Sequence, residues 1–146
     1  MGRSSADHPW QLDSRLHKDT IPVFDNGGVT ILLMNDRRWP WLILVPKVAG
    51  AEELHDLGPE IGPVVMDIAI SAGERLKVMT GCEKINIASI GNMVRQLHIH
   101  VIARSAGDAN WPKPVWGHGT AEPYSESEAA ELVGKLKVEL FDPSLS

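Results

Sequence analysis

The stretch Arg95-Gln96-Leu97-His98-Ile99-His100-Val101-Ile102-Ala103-Arg104 decides how this chain is read. Apolar Leu97, Ile99, Val101 and Ala103 alternate with Gln96, His98, His100 and Ile102, and a period of two marks a strand with two unlike faces. Alternate side chains of an extended strand point the same way, roughly 6.5–7 Å apart. The expectation is a strand that packs one face on the core and carries Gln96, His98 and His100 on the other. A strand face that only meets water is served by Lys or Thr. A Gln-x-His-x-His series offers more, because histidine near neutral pH acts as nucleophile, acid, base or metal ligand.

Working outward, Lys84-Ile85-Asn86-Ile87-Ala88 alternates in the same way and predicts a second strand, joined to the first by a tight connection at Ser89-Ile90-Gly91-Asn92. Residues 60–79 carry the strongest helical pattern, with Ile61, Val64, Val65, Ile68, Ala69, Ala72, Leu76 and Met79 on one stripe. Pro59 and Pro63 fall at the first turn, where proline costs little, and Gly81 stops the helix. Residues 51–57 read as one or two further helical turns. The runs Val29-Thr30-Ile31-Leu32-Leu33-Met34 and Trp41-Leu42-Ile43-Leu44-Val45 are too continuously apolar for half-exposed strands, so the sheet is expected to be covered or central. The turn Asp25-Asn26-Gly27-Gly28 makes a hairpin with a short edge strand at Ile21-Pro22-Val23-Phe24. Near the N-terminus, Asp7 as cap, Pro9 in the first turn, and Leu12 and Leu16 predict a short amphipathic helix ending near Lys18.

Beyond Arg104 the chain turns irregular. Residues 105–120 hold Trp111 and Trp116 among prolines and glycines, and two tryptophans there need cover, from the site they fold back over or from another subunit. Ser125-Glu126-Ser127-Glu128 is a capping box, followed by a helical stripe of Ala129, Leu132, Val133, Leu136 and Leu140. The order of helix, strands, helix, strands and helix predicts an α+β fold with a mainly antiparallel sheet and flanking helices. The 146 residues suit one domain, 1–146, with its core in 21–104 and an irregular segment and helix in 105–146.

Composition narrows the function. No apolar run approaches the ~20 residues of a membrane helix, and the N-terminus lacks the apolar core of a signal peptide. Cys82 is the single cysteine, which excludes an intrachain disulfide and points to a reducing cytoplasm. A formal net charge of −5 without a basic run argues against a nucleic-acid partner, though not against a small anionic ligand held by local donors.

The segment from Asn86 to Arg104 resembles the histidine triad (HIT) proteins, whose signature is His-φ-His-φ-His-φ-φ with φ apolar; here it reads Gln96-Leu97-His98-Ile99-His100-Val101-Ile102. Asn86, Gly91-Asn92 and Val94 upstream and Arg104 downstream agree with the family pattern. So do Leu33-Met34-Asn35, Leu44-Val45-Pro46-Lys47 and Leu54-His55-Asp56-Leu57 in the first half. The resemblance implies a HIT-like fold, a homodimer, and a hydrolase or transferase acting at the α-phosphate of a nucleotide, with no cofactor and no metal. His98 matches the nucleophile and His100 the third histidine, which contacts phosphate oxygens. Asn86 and Asn92 match polar phosphate-side positions, and Asn35 the ribose-binding position. One departure stands out: Gln96 replaces the first histidine. Glutamine donates a hydrogen bond but cannot carry a proton away at neutral pH.

The residues themselves support that chemistry. A neutral imidazole, with an ordinary pKa of about 6.5, is a competent nucleophile toward phosphorus. Local donors hold the phosphate oxygens; His100, Gln96 and Asn92 are candidates, and Ser89 a further one. Ile31 and Leu33 are the candidate apolar residues for a base, against their plain alternative as core. Two other functions are weighed. His98 and His100 with His55 or His118 would make a zinc site, and a dimer that binds or senses nucleotides without turnover would explain the lost histidine. Turnover of an adenylylated substrate separates the last from an enzyme.

Overall fold

The computed structural model describes residues 9–141. Five strands, β1 Thr20–Asp25, β2 Val29–Met34, β3 Trp41–Pro46, β4 Lys84–Ala88 and β5 Ile99–Arg104, form one sheet in the order β1-β2-β3-β5-β4. Every neighbouring pair is antiparallel, so the fold is α+β with an antiparallel sheet and flanking helices. The edge strand β1 carries Pro22 and an irregularity between Pro22 and Phe24, which an edge tolerates. In the hairpin turn, Gly27 takes φ 91°. The Asp25 and Asn26 side chains accept from the backbone N–H groups of Gly27 and Gly28.

The sheet is covered on both faces, and this explains the unbroken apolar runs. One face packs under α2, Gly58–Thr80, and α3, Glu126–Phe141. Its core includes Ile31, Leu33, Leu42, Leu44, Leu97, Ile99 and Val101 against Val65, Ala69, Ala72, Leu76 and Leu136. The other face buries Leu32, Trp41, Ile43, Val45 and Ile102 under Leu16, Trp39 and Val115, with Trp10, Leu12 and Trp116 packed on them. All six residues of β3 are buried as a result.

Within α2 the lower half of the expected stripe is core, but Ile61 and Val64 are exposed. These two line an open groove with Val29 and Val48, and a single 3-10 turn at Leu54–Leu57 leads into α2. Gly73 lets α2 lie close, since a Cβ there would meet the Ile85 side chain at 3.1 Å. The capping box of α3 is formed: the Glu128 N–H donates to Ser125 Oγ, and the Ser125 N–H to Glu128 Oε1.

Three local expectations change. The first helix, α1, runs only over Ser14–Asp19, with Asp13 as its N-cap; Asp7 and His8 lie outside the described residues. The backbone of Gln11 and Asp13 is hydrogen-bonded elsewhere (below), which keeps that stretch out of the helix. The strand through the histidines begins at Ile99, because the Leu97 N–H donates to the Ala51 carbonyl and the first ladder partners are those of Ile99 and His100. The β4–β5 connection is therefore the longer span 89–98.

Leu44, fully buried at the centre of β3, is expected to lose about 2–5 kcal/mol of stability on Leu44→Ala. Val138→Ala, on an exposed part of α3, should change it by under about 0.5 kcal/mol. Urea denaturation of the two variants checks the difference.

Candidate active site

His98 and His100 emerge on the sheet face opposite α2, beside Ile102 and Trp41. Their ring centroids lie 4.9 Å apart, edge to face. Both are almost covered, with exposures of 6% and 4%. Trp116 from the irregular segment stands edge-on over His100 at 5.1 Å, and Trp41 from β3 packs at 5.7 Å. The segment after β5 thus folds back over its own sheet face, and Trp116 finds its cover there.

The hydrogen bonds of the two rings define their tautomers. His98 Nδ1 lies 2.7 Å from the backbone carbonyl oxygen of Gln96. A carbonyl only accepts, so Nδ1 carries the proton and the lone pair sits on Nε2. His100 Nδ1 lies 3.0 Å from Trp41 Nε1. An indole only donates, so here Nδ1 is the acceptor and the neutral ring carries its proton on Nε2. The pair therefore presents one basic nitrogen and one N–H donor side by side. Burial, and secondarily the nearby His98, push the His100 pKa down to about 3, so His100 stays neutral.

Arg104, buried at the end of β5, anchors the tryptophan segment. Its guanidinium donates to Asp108 at 2.7 and 3.0 Å, to Asn86 Oδ1 at 3.0 Å and to the Lys113 carbonyl at 2.7 Å. It also lies 5.8 Å from the centre of the Trp111 ring. Burial, the largest single influence, would raise the Asp108 pKa, but the hydrogen bonds from Arg104 and from the backbone N–H groups of Asn110 and Ser105 together outweigh it and hold the carboxyl well below its usual range.

The other expected site residues separate. Ile31 and Leu33 belong to the core under α2 and do not face the histidines, because strand alternation puts Leu32 on that side. Asn86 lies on β4 opposite Ile102, with its side-chain oxygen taken by Arg104. Asn35 accepts the Tyr124 N–H at 2.9 Å and lines a cavity of about 410 Å³ with Met34, Asp36, Arg38, Trp41 and Trp116. Ser89 and Asn92 line a separate polar groove with Glu52 and Arg95. Gln96 is turned away from the expected row. Its Nε2 donates to the Gln11 carbonyl at 2.8 Å, and its Oε1 accepts the Asp13 N–H at 2.8 Å. His55 and His118 do not join the pair: among the described residues no three His, Cys, Asp or Glu side chains converge to hold a metal ion.

Trp41 and the buried Asp36–Arg38 pair, at 2.8 Å, are the residues that sequence reasoning missed. Parity along β3 would have placed Trp41 on the histidine face had the β3–β5 register been known.

The chain belongs to the histidine triad family: the HIT domain family model matches residues 15–107. It is similar in structure to a histidine triad protein from Sinorhizobium meliloti 1021, with 48% identity and a TM-score of 0.87 over 90% of this chain and 97% of that one. A histidine triad protein from Marinobacter aquaeolei VT8 shows 40% identity and a TM-score of 0.88, over 90% and 96% of the two chains. One from Bradyrhizobium japonicum shows 38% and 0.87, over 91% and 99%. A search of curated protein sequences finds no significant match. The fold and the imidazole pair are those of a class consistent with nucleotide-binding hydrolases and transferases. Among the described residues no helix is long and apolar enough to cross a membrane.

The depressed His100 pKa has a measurable consequence. The unfolded chain takes up a proton at this residue below its ordinary value of 6.5, and the folded chain only near 3, so stability falls as pH drops through that window. Replacing the residue removes this part: the loss of stability between pH 6.5 and 3 should be smaller in His100→Gln than in wild type by on the order of a few kcal/mol, read from denaturation at each pH.

Proposed function

We propose that the protein is a nucleotide hydrolase or nucleotidyltransferase that acts at the α-phosphate of a nucleoside phosphate conjugate, such as a dinucleoside polyphosphate or a phosphoramidate, with His98 as nucleophile. The observation that carries this reading is the opposed pair of tautomers. The His98 Nε2 lone pair attacks phosphorus, the bond to the leaving group breaks, and a nucleotidyl-histidine forms. Water then cleaves that bond and frees the imidazole. In this reading the His100 Nε2–H donates to a phosphate oxygen as charge builds there. The cavity beside Trp41 and Trp116 is the proposed nucleoside site, with a volume ordinary for a small ligand and Asn35 on its wall. Asn86, Asn92 and Ser89 remain secondary candidates for phosphate contacts.

The amide of Gln96 is already committed to the backbone. The reaction therefore favours leaving groups that depart without a proton, such as pyrophosphate, over amines. A second reading, nucleotide binding without turnover, is favoured by the near-complete cover of both rings. We further propose a reducing cytoplasm and a homodimer. The tryptophan argument for a dimer falls away, and the open edge of β4 with its exposed Ile87 takes its place. Light scattering that shows only monomer at micromolar concentration overturns the dimer.

His98→Ala is expected to abolish turnover of a dinucleoside polyphosphate while leaving monophosphate affinity within about tenfold. Wild type quenched in base during turnover should show a nucleotidyl mass on the peptide holding His98. Affinity without any turnover supports the binding reading, and full turnover in the variant overturns the nucleophile assignment.

A further inference from the structure

Gln96 occupies the position of the missing triad histidine, and its side chain is fully engaged there. Its side-chain oxygen takes the Asp13 N–H and its side-chain nitrogen gives to the Gln11 carbonyl, both at 2.8 Å. These two backbone groups flank Leu12, and one donor with one acceptor reaching them is the pattern by which a strand residue bonds a parallel neighbour. The side-chain amide behaves as a peptide group bridging residues 83 to 85 positions away in the chain. Nearby, Arg15 donates to the Met93 carbonyl at 2.9 Å and bonds the Asp13 carboxylate, tying the same two segments a second time. The segment so held carries Trp10 and Leu12, which pack on the sheet face of the histidines, and Lys47 lies 5.6 Å from the Trp10 ring centre. The backbone carbonyl of Gln96 meanwhile receives His98 Nδ1 at 2.7 Å.

We propose that Gln96 is a positioning residue with two coupled tasks: its side chain latches residues 10–13 across the imidazole face, and the backbone so immobilised holds the carbonyl that sets the tautomer of His98. The replacement of histidine is then a change of role. A neutral imidazole also has one donor and one acceptor, but they point away from each other on the ring and serve only one of the two backbone groups. The latch rests on the proposed reaction only in calling His98 the nucleophile.

The test uses the full chain and needs no turnover. Exchange of the Asp13 amide hydrogen is followed by NMR, with the Leu44 amide as an internal standard, and ring ¹⁵N shifts report the His98 tautomer. In Gln96→Leu, protection at Asp13 should fall about tenfold or more while Leu44 is unchanged, since opening is local, and the His98 ring should exchange between tautomers. Gln96→Glu makes the latch switchable. Its carboxylate still accepts the Asp13 N–H but cannot donate to the Gln11 carbonyl and repels it, whereas its acid form restores both bonds, so protection at Asp13 should rise as pH falls through the glutamate range near about 4.3. Unchanged protection at Asp13 in Gln96→Leu, or protection in Gln96→Glu that ignores pH, overturns the latch. A fixed His98 tautomer after Asp13 is freed overturns the coupling. Because these readouts are structural, absence of a nucleotidyl adduct on wild-type His98 would sink the proposed reaction while leaving them untouched.

Discussion

The organising constraint is that the central strands of the sheet have no face left for water. β3 is buried along its whole length, and β5 beside it likewise. A sheet apolar on both sides needs two covers. Two long helices provide one. The other is made of what remains: short α1, residues 10–13, and the segment that brings Trp116 back from the far side. The histidines emerge on the face with the irregular cover, so the site is enclosed by loops that can be specialised without disturbing the helical core.

That enclosure carries charged groups into apolar surroundings, and these are answered, whereas the buried indole N–H groups of Trp10, Trp39 and Trp116 find no partner among the described residues. Arg104 is matched by Asp108, Asn86 and a carbonyl, and Asp36 by Arg38 and the Glu122 N–H. Such buried pairs contribute little net stability against apolar replacements, but removing one partner strands a charge at a cost of about 3–5 kcal/mol. Their consequence here is geometric. Arg104 fixes the segment that delivers Trp116, and Asp36–Arg38 forms one wall of the neighbouring cavity. The asparagines that the family pattern assigns to ligand are partly occupied by this scaffold, Asn86 by Arg104 and Asn35 by Tyr124.

How much of this was legible from residues alone follows from what each pattern encodes. Alternation and helical spacing report burial, so all five strands, α2 and the cap of α3 could be read directly. Parity within a run buried on both faces is silent, and for that reason Ile31 and Leu33 stood as candidates for a base beside their plain alternative as core, which is where they lie, while Leu32 and Trp41 were passed over. The helical stripe likewise cannot tell how much of its length finds a partner, and Ile61 and Val64 are exposed. His98 and His100 were legible because no other strand face looks like theirs. The destination of the Gln96 amide was not, since its partners lie more than eighty residues earlier and nothing in the local pattern points to them.

A charge on the His100 ring, in a site this covered, would face a desolvation penalty. A neutral ring, however, chemically defines only half its behaviour; which nitrogen bears the proton decides whether it attacks or donates. The chain settles this with the two most one-sided hydrogen-bonding groups it has, a carbonyl that can only accept and an indole that can only donate. Neither partner titrates, so the division of labour between His98 and His100 holds at any pH at which both rings are uncharged. A third histidine beside them would have brought a third titrating group into the same enclosure. Glutamine brings none, and its polarity goes into closing the site.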